Sequence, residues 1–225
     1  MIHENLIRGI GNSFSNLEKT LNRPEFLRLG ITIIYAIVIA LSIDASKSVF
    51  IPLYSIPANL LYATVLFYGY FIILTAWIEY YFIRQKFKDE GKSALGRFVL
   101  DLGILFLFYY IIIAGSNENQ EYLIPDVYLF VTPLIFFLFT LKDLFRIRDY
   151  PNETLLKYRN MSRNFLFISI IISLSYLTEI YATGFQSFGS LAFYRDLIFA
   201  YLTLALIVVY RIMRWRQFNV AVADS

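Results

Sequence analysis

Ser169, Ser173, Tyr176 and Glu179 recur at spacings of four and three within one apolar stretch, which sets them on roughly one helical face. Hydroxyls leading to a carboxylate could line a hydrated path, and an acid at its mouth would concentrate cations. These four are the candidate pathway-lining residues. Two more acids, Glu79 and Asp101, fall near the ends of apolar stretches, where an ionised group needs a partner, a cavity or a transported ion to offset its desolvation. They make a candidate inner ion or proton site. Each set also has a purely structural use: serines at helical spacing can hydrogen-bond neighbouring helices, and Asp101 lies one turn from Arg97. Pro133, beside Thr132, removes a backbone donor inside another apolar stretch, which makes it a possible helix hinge.

Other chemistries find no support in the residue inventory. The chain has no cysteine and a single histidine, His3, so neither thiolate metal sites nor imidazole chemistry inside the membrane are expected. No phosphate-binding GxxxxGK[ST], zinc-binding HExxH or nucleophile-bearing GxSxG pattern occurs. No Asp-rich metal motif is present, and basic residues do not repeat every third position along any apolar stretch as a voltage sensor requires. No catalytic residue, metal or cofactor is expected, and an enzyme is the disfavoured class.

The elements that must position these groups are membrane helices. Hydrophobic residues make up 58% of the 225 positions and charged residues 16%, against roughly a quarter charged in soluble domains. Apolar stretches run near 29–43, 60–83, 98–114, 122–141, 165–181 and 191–213. Crossing the ~30 Å hydrocarbon layer takes about 20 helical residues, and lipid offers backbone N–H and C=O groups no partner, so helices are required and open strands are excluded. The expected fold is all-α: a polytopic membrane protein with six transmembrane helices over 29–213. Ahead of it, residues 1–28 form a cytoplasmic lead-in whose Ile2, Leu6, Ile10, Phe14, Leu17 and Leu21 mark one face of an amphipathic helix. Pro24 ends that run. The first span is short, with fifteen uncharged residues between Arg28 and Asp44. After it, Pro52 and Pro57 interrupt an apolar connection, expected as an interfacial segment.

Charge fixes the expected orientation. Eighteen of the 20 lysines and arginines group at one set of alternate gaps, and only Lys47 and Arg195 at the other. The positive-inside rule then puts both termini, a basic loop over 142–163 and a tail over 214–225 in the cytoplasm of a cell with the protein in its plasma or inner membrane. The two sequons in the 142–163 segment, at Asn152 and Asn160, are on the wrong side for glycosylation by this topology. The net charge of +3 is an orientation signal, and nucleic acid is not an expected partner.

The six-span plan, the short first helix with Tyr35-Ala-Ile-Val-Ile-Ala-Leu and the second span closing on Trp77 resemble small prokaryotic six-span cation channels. Those channels carry a Phe-Ser-Asp signature ahead of the apolar run, whereas Gly30-Ile-Thr-Ile-Ile stands here, so no functional position carries over. The expectation drawn from residues and resemblance together is a cation channel or small-solute transporter acting as a homo-oligomer in the bilayer. The alternative is a non-transporting scaffold, accessory subunit or stress or defence effector that binds a cytoplasmic protein partner through its basic face.

Overall fold

The computed structural model describes residues 24–45, 47, 60–86, 94–116, 125–149, 151, 153–183 and 190–223. The amphipathic helix expected within residues 1–23 and the proline-bearing connection near 48–57 lie outside them. Six α-helices make up the described chain: α1 (Pro24–Ala45), α2 (Leu60–Lys86), α3 (Ala94–Ser116), α4 (Pro125–Asp149), α5 (Glu153–Thr183) and α6 (Ser190–Ala223). No strand occurs among the described residues. Five helices are long and apolar enough to cross a membrane, and α1 carries a shorter apolar stretch, Leu29–Asp44. The chain is an all-α, multi-pass membrane protein.

Local chemistry sets the helix starts. Pro24 and Pro125 occupy first helical positions, where the missing N–H has no intrahelical role and the fixed φ already suits a helix. Glu153 lies in the first turn of α5, its charge favourable beside the unpaired amides there.

One sequence expectation needs correction. The 142–163 segment is not a loop: α4 continues to Asp149 and α5 begins at Glu153, so only 150–152, around Pro151, separate them. Within the expected 214–225 tail, α6 continues as helix to Ala223. The loop reading equates the end of an apolar run with the end of a helix. Polar residues with good helical propensity extend these helices, and several are buried by neighbouring helices.

Packing follows three-and-four spacing. Leu61, Val65, Tyr68, Ile72, Ala76 and Tyr80 mark the buried side of α2, and Ala200, Thr203, Ile207, Tyr210 and Arg214 that of α6. The helix α4 packs chiefly on α5 and also meets α3 and α6; α2 packs on α3 and α6, and α1 lies against α3 and α2. Gly69 permits the α2–α3 approach, since a Cβ there would come within 2.6 Å of Ile112 Cγ1. Near one end of the core, Tyr210 is ringed by Phe136, Phe139 and Phe165 at centroid separations of 5.0, 5.7 and 5.3 Å.

Candidate functional site

Beyond that aromatic cluster the buried stripes of the helices turn from apolar to charged. Arg97, Asp101, Asp143, Arg146, Arg211 and Arg214 are all buried. They come from the start of α3 and the ends of α4 and α6, where Arg97, Lys142, Arg146, Arg148, Arg211, Arg214 and Arg216 cluster. This is the basic end of the bundle.

Arg214 is its hub. Its two terminal nitrogens donate to the two carboxylate oxygens of Asp143, at 2.8 and 2.9 Å, the two-pronged match that a planar guanidinium offers a carboxylate. Its Nε pairs with Glu79 on α2, and Nη1 also donates to the Tyr210 hydroxyl at 2.7 Å. Ser162 of α5 adds a hydrogen bond to Asp143 at 3.0 Å. The Arg214 guanidinium lies 4.8 Å from the centre of the Tyr158 ring, where the electron-rich face attracts a cation. One side chain thus ties α6 to α2, α4 and α5.

The other charges are matched in the same way. Glu79 takes a second partner, Arg211, whose guanidinium stacks 5.0 Å from the Phe139 ring centre. Asp101 of α3 is paired with Lys142 of α4, and Arg97 reaches Asp149 at 3.0 Å. Arg146 lies 3.8 Å from Asp143. Among these residues four carboxylates meet five cationic groups. Each acid has a base on a different helix, so desolvation of the charges is offset only while the helices stay together.

Glu79 and Asp101, picked out as separate inner-site acids, converge on one small void that Lys142, Arg146, Arg214, Tyr35 and Tyr80 also line. Its volume is about 10 Å³, the lower limit for a single water. Sequence reasoning did not single out Arg211, Arg214, Asp143 or Lys142, because the positive-inside bias already accounted for the bases. A usable signal was present: continuing the interior spacing of α6 past Thr203 and Ile207 lands on Tyr210, Arg211 and Arg214.

The serine stripe has a different setting. Pro133 lacks the N–H that would bond the carbonyl of residue 129. Ser173 of α5 supplies the donor: its Oγ is 2.7 Å from the Leu129 carbonyl oxygen. Ser169 bonds within α5 to the Leu166 carbonyl at 2.7 Å. Next to the proline, Thr132 shares a 2.7 Å hydrogen bond with Tyr68 of α2. The helix α4 continues through Pro133 from Pro125 to Asp149. Further along, Tyr176 donates to Asp196 at 3.1 Å, and Arg195 binds the same oxygen at 3.0 Å. Glu179 is exposed. Ser169, Ser173 and Tyr176 are therefore brought together between helices, while Glu179 stands off their buried face.

No protein-family model, curated protein or solved structure matches the chain.

Proposed function

We propose that this protein is a non-conducting accessory or scaffold subunit, with its basic end on the cytoplasmic side of a plasma or inner membrane. The observation that supports this reading is the cross-helix pairing of Glu79, Asp101, Asp143 and Asp149 with arginine or lysine. Carboxylates neutralised in this way are poor ligands for a passing cation, since a cation would have to displace a guanidinium or ammonium group already in place. The same pairs hold α2 to α6 in a fixed relation. Around that end Arg148, Lys157, Arg163 and Arg216 are exposed and offer a cationic surface to an acidic protein partner.

Reconstitution into liposomes tests the reading directly. Sodium, potassium and proton flux should equal that of protein-free vesicles, while a photocrosslinker placed at Lys157 in intact cells should capture a neighbour that Arg148→Glu with Arg163→Glu releases. Flux above the empty-vesicle level would overturn it.

A second reading, ion or proton passage by a homo-oligomer, draws on the void between Glu79 and Asp101. It requires flux that falls on Glu79→Gln. The outer counterpart, passage past Ser169, Ser173, Tyr176 and Glu179, requires a fall in cation flux on Glu179→Gln.

A further inference from the structure

A cleft of about 390 Å³ opens between α2 and α6, with Tyr158 of α5 also lining it. That size falls in the usual range for small-ligand sites, about 300–1,000 Å³. Its character changes along its length. Phe71, Ile78, Ile212 and Trp215 give it apolar walls, and Glu79, Arg211, Arg214 and Arg216 gather at the basic end. Phe71 precedes Glu79 by eight residues on α2, a distance of roughly 12 Å at the helical rise. A slot with charge at one end and hydrocarbon-like walls running toward the bundle centre has the polarity of a single lipid chain with its headgroup.

The charged end also holds unused donors. Arg211 is more than nine-tenths buried, and only its Nη1 is spent on Glu79. Its Nε and Nη2, and the Tyr158 hydroxyl, are buried with no hydrogen-bond partner among the described residues. Buried N–H groups of a guanidinium are costly to leave unmatched, and their fork suits two phosphate oxygens. Of the three arginines that line the cleft, Arg214 is matched by Asp143 and Arg211 by Glu79, which leaves the charge of Arg216, exposed at the rim, in excess. The balance favours an anion.

We infer that the α2–α6 cleft binds an anionic membrane phospholipid, its phosphate held by Arg211, Arg216 and Tyr158 and one acyl chain lying between Phe71 and Trp215. The inference is independent of whether the protein conducts. It accounts for two features at once: orphaned donors at the charged end, and an apolar groove facing a solvent of acyl chains.

Trp215 lines the cleft and reports on its occupant. The full-length protein, with Trp77→Phe to remove the only other tryptophan, is placed in phosphatidylcholine vesicles and titrated with phosphatidylglycerol brominated on its acyl chains. Brominated phosphatidylglycerol should quench Trp215 at a lower mole fraction than brominated phosphatidylcholine, and Arg216→Gln should shrink that preference about fivefold, as expected for one arginine near an anionic lipid. Ile78→Trp would add a second fluorophore, so Ile78→Phe is used to narrow the apolar walls; it should weaken quenching by both lipids. Arg216 and Ile78 are exposed positions outside the ion-pair network, so these variants leave the bundle's buried charges in place. Equal quenching by the two lipids, or no response to Ile78→Phe, would overturn the inference. So would relief of phosphatidylglycerol quenching by millimolar inorganic phosphate, which would make the ligand a soluble anion.

Discussion

The basic end and the seam around Pro133 both tie helices together, by opposite means. At the basic end charged side chains from α2 to α6 satisfy one another, with Ser162 representing α5. At the seam a neutral hydroxyl mends one backbone gap, Ser173 donating to the Leu129 carbonyl that Pro133 leaves open. A charge stripped of its partner inside a bundle retains its whole desolvation cost, whereas a carbonyl stripped of one hydrogen bond loses little. The first arrangement makes the helices mutually dependent. The second lets a local irregularity sit in α4 at small cost.

The largest expected effect comes from the hub. Arg214→Gln leaves Asp143 with only Arg146, 3.8 Å away, and Glu79 with only Arg211, and should lower stability by about 3–5 kcal/mol, the usual loss when one partner of a buried pair is removed. Unfolding in lipid bicelles would measure it, and a loss comparable to that at the seam would erase the contrast between the two regions.

The Asp101–Lys142 pair should fall between. Asp101→Asn and Lys142→Met should each destabilise the protein, while the double variant should recover a coupling of about 0.5–3 kcal/mol. Strict additivity in that cycle would show that the pair contributes no mutual stabilisation.

The smallest effect belongs to the seam. Ser173→Ala should cost about 0.6 kcal/mol and no more than about 1.7, the span measured for hydrogen bonds between membrane helices. In a Pro133→Ala background the backbone regains its own donor to Leu129, so the same serine change should become almost neutral. An undiminished cost there would mean that Ser173 acts through something other than the proline gap.

Much of this architecture was legible from hydropathy, because a helix that must cross lipid announces itself by length and apolarity. The helix ends were less so. Arg211, Arg214, Lys142 and Asp143 lie beyond or at the margin of the apolar runs, and their charge there is what membrane orientation alone would produce. Only their register with the buried stripe separates interior from surface, and only the fold pairs residues as distant as Glu79 and Arg214. The polar face of α5 was visible for Ser169, Ser173 and Tyr176, all buried. Glu179 lies off that face and is exposed. At about 100° per residue it lies roughly 80° from Ser169, whereas position 180 returns to within about 20°, and Ile180 is the residue packed against the core.

The uninterrupted course of α6 to Ala223 gives the hub a handle. Nine residues beyond Arg214 belong to the same rod, so torque applied to its final turns is delivered to both guanidinium groups without an intervening joint. A twist equivalent to one residue, about 100°, would swing Arg214 clear of Asp143 and Glu79 together. Whatever grips those final turns has mechanical leverage over the ion pairs that Arg211 and Arg214 make with other helices.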